Sequence, residues 1–262
     1  MLPFDFLGAI ASRRFLGVPV ETHASIGSTN DEAFRRASEG AAEGLIVVAG
    51  AQTEGRGRQG RAWFDAPGQS LLFSVLLMPA IPLPSYPLLA LALACTIADA
   101  GGEAAGGVTL DVKWPNDVLH EGKKLCGVLA ESRALAPGVT PTLVIGAGVN
   151  GNQLPGDFPP EIQSRATSLR IAGGGDRIDL AALFANVLDR YAGCIALARG
   201  GDPRALLERL RPRLPEEGST VRVVLTDRAV EGLVESVTET GALRVRNRAS
   251  GVLETLVAGV ME

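Results

Sequence analysis

Nine residues at 55–63, GRGRQGRAW, hold three arginines and three glycines in a chain whose formal net charge is −4. Guanidinium groups and free backbone amides are what carboxylate and phosphate oxygens require, and a glycine-rich segment can fold around an anion. The glycines give a helix or strand little support, so the segment is expected to be mobile until something pins it. Taken alone, the same composition also describes a solvated linker or an RNA-binding tail. It is no Walker loop, because the G-x-x-x-x-G-K-[ST] pattern does not occur in the chain.

A second group lies at 113–118, KWPNDV. Pro115 removes a backbone donor and ends the strand, which presents Asn116 and Asp117 at its mouth. The plain alternative is a Pro-Asn-Asp turn beside a core Trp114. Lys124 follows Asp117 by seven residues, across a hairpin whose turn is HEGKK, so an ammonium and a carboxylate can share one pocket. A third group, GAGVN at 146–150, puts a Gly-x-Gly and Asn150 at another strand end. It lacks the third glycine and the downstream acid of a dinucleotide fingerprint, and by itself reads as a tight loop.

The elements that must position these residues follow from pattern. STNDEAFRRASE at 28–39 opens with a capping Ser28, carries acids in its first turn and stops at Gly40, which predicts a helix. GLIVVAG at 44–50 and SLLFSVLLMP at 70–79 read as strands, with the arginine segment as the long connection between them. A helix over 85–100 precedes a strand ending at DVKW, a hairpin returning as LCGVLAES, and a strand TLVIGAGVN at 142–150, whose glycines permit close approach. A loop spans 151–160, and a helix starts after Asp179 as N-cap. The α/β body is expected to end near Pro215. Beyond it, alternation with turns at Asp227-Arg228 and Thr240-Gly241 predicts a small antiparallel barrel that packs on the larger part.

A hydrophobic content of 46% supports a sizeable core. The acidic balance argues against a general nucleic-acid binder, so any basic patch is local. Cys95, Cys126 and Cys194 are scattered without the CxxC pairing of a structural zinc, which suits a reducing compartment. YPLLALALACTIA at 86–98 falls short of the roughly 20 residues a bilayer needs, and the N-terminus places Asp5 before its apolar part and its basic pair after it, opposite to a signal peptide. A cytoplasmic protein without membrane association is expected.

In order and content, GSTN, GRGRQGRAW, KWPNDV, GKKLCGVLAE and IGAGVN together resemble the biotin protein ligases, or biotin-[acetyl-CoA-carboxylase] ligases, from Ser28 to the C-terminus. Lipoate ligases share the catalytic fold without these motifs. The resemblance implies an α/β (α+β), class II synthetase-like catalytic domain over 1–215 and an SH3-like β-barrel over 216–262. It implies biotin and ATP as substrates with Mg²⁺ on the phosphates, a biotinyl-5'-adenylate intermediate, and a biotin carboxyl carrier protein of acetyl-CoA carboxylase as partner.

By the same resemblance, Ser28, Thr29 and Gln52 hydrogen-bond the polar ring end of biotin. Backbone around Gly55, Arg56, Gly127 and Gly146 holds the rest, and Asn30 and Gly148 complete that set. Lys124 sits between the biotin carboxylate and the α-phosphate, where a compact ammonium serves both. Arg58 lies on the loop that closes over the adenylate, Trp63 packs against adenine, and Arg61, Asn116 and Asn150 complete the nucleotide site. Asp117 accepts the proton of the incoming carrier lysine or orients its amine. No protein-held metal is implied. His23 and His120 fall outside the motifs, and Cys126 reads as a packed hydrophobe rather than a nucleophile. Only 27 residues precede Ser28, too few for the winged helix-turn-helix of repressor-type relatives, so specific DNA binding is not expected. The chain ends AGVME without the basic residue that some relatives place there, which leaves Arg222 as the candidate from the small domain. A lipoate or octanoate ligase and a nucleic-acid-binding module are the competing readings; a monomer or a homodimer is compatible with the family.

Overall fold

The structure is a computed structural model that describes residues 5–78, 81–138, 140–200 and 202–262. Helix α1 (Asp5–Ile10) and strands β1 (Arg14–Phe15) and β2 (Val18–His23) lead into α2 (Thr29–Ser38), β3 (Ile46–Ala49) and β4 (Ser70–Leu77). Helix α3 (Tyr86–Ala104) precedes β5 (Asp111–Lys113), β6 (Asp117–His120), β7 (Lys123–Arg133) and β8 (Thr142–Asn150). Four helices follow, α4 (Pro160–Gln163), α5 (Leu169–Ala172), α6 (Leu180–Arg199) and α7 (Pro203–Leu210). Strands β9 (Thr220–Val224), β10 (Ala229–Val237), β11 (Leu243–Asn247), β12 (Leu253–Leu256) and β13 (Val260–Met261) complete the chain.

The first eight strands form one mixed sheet in the order β1-β2-β3-β4-β8-β7-β6-β5, in which only β2 and β3 run parallel. The last five form an antiparallel sheet in the order β12-β11-β10-β9-β13, consistent with an SH3-like unit. Asp179 caps α6 as expected, accepting from the amides of Ala181 and Ala182. Residue 79, the expected end of the strand that begins at Ser70, lies outside the described residues. Helix α3 runs to Ala104, four residues past the expected end. It and α6 are both long and apolar enough to cross a membrane, yet they pack on each other and on the large sheet as core helices.

Both faces of the large sheet are covered, so burial alone does not distinguish them; side-chain chemistry does. Toward α3 and α6, β4 offers Leu71, Phe73 and Val75 in register with Val149, Ala147 and Ile145 of β8. Toward α2, the alternate positions Ser70, Leu72 and Ser74 lie opposite Asn150, Gly148 and Gly146. The second row continues through Gly127 to Asp117, because Gly148 pairs with Gly127 and Gly127 with Asp117. Strict alternation from Gly127 would send Lys124 to the core face with Cys126. A register shift between Val118 and Leu119 of β6 instead inserts Leu125, which joins the buried core, and returns Lys124 to the α2 side.

The small sheet is no separate body. Val223, Val230 and Val245 belong to the same buried cluster as the large core, and the buried Trp114 Nε1 donates to the Gly241 carbonyl at 2.9 Å. Gly241 has a φ of 81° and lies so close to Leu88 that an added Cβ would stand 2.9 Å from its backbone nitrogen.

Candidate active site

The arginine segment folds back on itself as a narrow ribbon. The Gly57 amide donates to Arg61 O at 2.7 Å and the Trp63 amide to Gly55 O at 2.9 Å, closed by a turn over Arg58–Gly60. Gln59 and Gly60 both take left-handed backbone, with φ of 58° and 72°; only the glycine does so without steric cost. The ribbon is therefore not an open, extended linker. Nor is it a basic stripe for a polyanion, because Arg56 is ion-paired with Asp31 and Arg58 turns inward.

Between the ribbon and the α2-facing side of the sheet lies a cavity of about 300 Å³. Among the residues that line it are Ser28, Thr29, Asn30, Gln52, Gly146 and Gly148, and also Arg56, Arg58, Arg61, Trp63, Asn116, Asp117, Lys124, Gly127 and Asn150. Gly55 is not among them. It lies behind the wall, where an added Cβ would stand 3.2 Å from Trp63 O and 3.3 Å from the Gln52 amide. The glycines of the floor serve close approach, but to side chains. A Cβ on Gly146 would stand 2.1 Å from Asn30 Oδ1, and one on Gly148 2.4 Å from the Trp63 ring. Trp63 thus lies flat on the sheet with its Nε1 buried and without a partner among the described residues.

One end of the cavity is a network of neutral polar groups. Gln52 Oε1 accepts from the Thr29 amide at 2.7 Å and the Thr29 hydroxyl at 3.0 Å. Ser74 Oγ lies 2.7 Å from Thr29 Oγ1 and 2.6 Å from Asn30 Oδ1. With the Thr29 proton given to Gln52, the single Ser74 proton serves only one of these at a time. Ser28 occupies the N-cap position of α2, but its side chain makes no cap hydrogen bond. This corrects the expectation of a capping hydroxyl and leaves that group available in the cavity wall.

The other end is cationic. Lys124 Nζ stands 2.8 Å from Asp117 Oδ1 and 5.8 Å from the Trp63 ring centroid. The carboxylate oxygen is buried without a directed hydrogen bond, so the contact is an ion pair of off-line geometry. Lys124 is 40% exposed, so solvent screens the pair and it stabilises the fold by only about 0–1 kcal/mol. Arg58 donates to Asn116 Oδ1 at 2.8 Å and to Gly259 O at 3.2 Å. Both acceptors are neutral, and burial pushes the Arg58 pKa below its usual value, against the pull of Asp117. A half-buried guanidinium held this way gains from any anion that arrives.

Several lining groups were missed by sequence reasoning. Ile162 comes from α4, and Arg165 and Ala166 from the segment after it, which runs beside Lys124: Lys124 N donates to Arg165 O at 2.8 Å and Thr167 N to Lys124 O at 2.9 Å. The amide of Asn150 is used to hold this segment, donating to Thr167 O at 2.9 Å. Val260 reaches the wall from the small sheet. Arg222, the candidate from that sheet, is instead paired with Glu231 and Glu262 and does not line the cavity. His23 bonds Glu21, and His120 lies against Thr109 O. Cys126 is wholly buried, and burial pushes its thiol pKa far up, as a packed hydrophobe requires.

Fold and site together define a mixed-sheet domain with a ribbon-covered cavity lined at one end by cationic side chains. The model of the biotin/lipoate A/B protein ligase family matches residues 23–150. The chain is 33% identical over 246 residues to the biotin--[acetyl-CoA-carboxylase] ligase of Mycobacterium tuberculosis, covering 91% of this chain and 86% of that protein. It is 42% identical over 166 residues to the bifunctional ligase/repressor BirA of Bacillus subtilis, covering 63% of this chain and 50% of BirA; the chain thus spans about half the length of that relative. Among solved structures, the biotin protein ligase from Aquifex aeolicus in complex with biotin and ATP superposes with a TM-score of 0.74 at 27% identity, over 93% of this chain and 97% of that one. The chain belongs to the biotin/lipoate A/B protein ligase family.

Proposed function

We propose that the protein is a biotin protein ligase: it activates biotin with MgATP to biotinyl-5'-adenylate and passes biotin to one lysine of a biotin carboxyl carrier domain. The observation that carries this reading is one cavity joining a neutral hydrogen-bonding end at Ser28, Thr29 and Gln52 to a cationic end at Arg58 and Lys124. The Aquifex relative, crystallised with biotin and ATP, supports it.

In the first step a biotin carboxylate oxygen attacks the α-phosphorus, the bond to the β-phosphate breaks, and pyrophosphate leaves. Two anions must approach, and Lys124 is suited to lie between them while Arg58 and Arg61 stabilise charge building on the phosphate oxygens. Trp63, flat over Gly148, offers its ring to the adenine; Asn116 and Asn150 hold the ribbon and the Arg165 segment around the nucleotide. Among the described residues, Asp117 is the sole carboxylate on the cavity wall, and it is committed to Lys124. The donor set therefore fits Mg²⁺ that arrives on the phosphates rather than an ion held by the protein. In the second step the carrier amine attacks the acyl carbon, AMP leaves, and Asp117, paired at hydrogen-bonding distance with Lys124, takes a proton from the amine.

A carrier domain of acetyl-CoA carboxylase, a cytoplasmic setting and ligation without specific DNA binding complete the proposal. Intact-mass measurement of a biotin carrier domain after incubation with the protein, ATP and biotin tests it. A biotin-sized gain is expected; a gain only when lipoate replaces biotin would move the protein to the other branch of its family.

A further inference from the structure

Arg56 is drawn away from the role its charge suggests. Both of its terminal nitrogens meet the two carboxylate oxygens of Asp31 on the first turn of α2, Nη2 to Oδ1 at 2.7 Å, the fork geometry that makes arginine–carboxylate pairs strong. Asp31 also receives Arg133 of β7 at 3.3 Å, whose guanidinium lies 4.0 Å from the centroid of the Phe34 ring. Glu131 stands 3.7 Å from Arg56 and accepts from Asn30 Nδ2 at 2.7 Å. Asn30 lines the cavity, so a continuous set of contacts joins the cavity's neutral end to the base of the ribbon. An acid in the first turn of a helix is ordinary. A first-turn acid that takes arginines from a ribbon and from a strand is not explained by the helix alone.

The ribbon's own hydrogen bonds use Gly55, Gly57, Arg61 and Trp63, so the Arg56 N–H and C=O stand on its free edge, with no backbone partner among the described residues. We propose that Asp31, supported by Glu131, is a positioning residue. Its pairing with Arg56 latches the base of the ribbon to α2, neutralises that guanidinium, and leaves the Arg56 backbone N–H and C=O as an edge for a ligand group that both accepts and donates. The latch itself is independent of the ligase reading; its effect on biotin rests on that reading.

Two measurements on the full chain separate these layers. In ligand-free protein, Asp31→Asn speeds hydrogen exchange at the Gly57 and Trp63 amides by about tenfold or more, leaves the β8 amides near wild type and lowers the melting temperature only slightly. Asp31→Glu, which keeps the charge, restores most of the protection. With ligand, Asp31→Asn raises the KM for biotin more than it lowers kcat and shortens retention of the adenylate. Unchanged exchange at Gly57 and Trp63 in Asp31→Asn would overturn the latch. Faster exchange with an unaltered biotin KM would overturn its role in binding, while wild-type protein that turns over no ATP with biotin would overturn the ligase reading and leave the latch standing.

Discussion

Toward α3 and α6, Leu71, Phe73, Val149 and Ile145 are all fully buried and fill the sheet face with large apolar side chains. On the opposite face, the same two strands present Ser70, Ser74, Gly146, Gly148 and Asn150, and a cavity opens there. The strands, registers and hydrogen bonds are shared; what differs is the side-chain volume at alternate positions. Filling one face supplies the stability. Emptying the other, with glycines that let Asn30 and Trp63 lie against the backbone, creates room for ligand and exposes buried donors to it. The cost of half-buried cations and an orphaned indole on that face is offset by the packing behind it.

Substitutions on either face show whether the two are separable. Phe73, which meets Phe184 edge-on at a centroid distance of 5.5 Å, belongs to the filled face. Phe73→Ala is expected to cost about 3–5 kcal/mol of stability in urea unfolding, with the activity of the remaining folded protein close to wild type. Lys124→Ala on the emptied face should do the reverse, lowering the adenylation rate by about a hundredfold to a thousandfold with little change in melting temperature. Gly148→Ala puts a methyl group into the Trp63 ring and should raise the KM for ATP by roughly tenfold through displacement of the indole, measured by steady-state kinetics at saturating biotin. A large loss of stability in either of these two variants would blur the comparison.

The pH response of the latch is the smallest effect. The Arg56 hydrogen bond holds the Asp31 carboxyl below its ordinary value of 3.8. A depressed carboxylate stabilises the fold fully above the ordinary value and loses that contribution as pH falls through the depressed one. The difference in unfolding midpoint between wild type and Asp31→Asn should therefore be constant from neutral pH down to about 5 and shrink below 4.

Much of this arrangement was legible before any coordinates. Local signals gave the elements: Asp179 before an apolar helix, Pro115 at a strand end, alternation in the last five strands. The Asp117–Lys124 ion pair followed from a hairpin and a spacing. The bulge at Leu125 did not, because nothing in KKLCGVL marks it, and without it alternation would have placed Lys124 in the core. Asp31, Glu131 and Arg165 were equally hidden: Arg56 stands 25 residues from Asp31 and Asn30 101 from Glu131, while Arg165 is brought in beside the Lys124–Ala166 bridge, outside any hairpin. Arg222 drew attention as a cation near the C-terminus, but the acids at Glu231 and Glu262 claim it, a competition visible only in three dimensions.

The central claim is that the emptied face brings a biotin carboxylate to an ATP α-phosphate beside Lys124. Exchange of labelled pyrophosphate into ATP measures that step alone, without a carrier protein. The account predicts exchange that requires biotin, requires Mg²⁺, and collapses in Lys124→Ala while the melting temperature holds. Exchange that proceeds equally without biotin, or persists at the wild-type rate in Lys124→Ala, would contradict it.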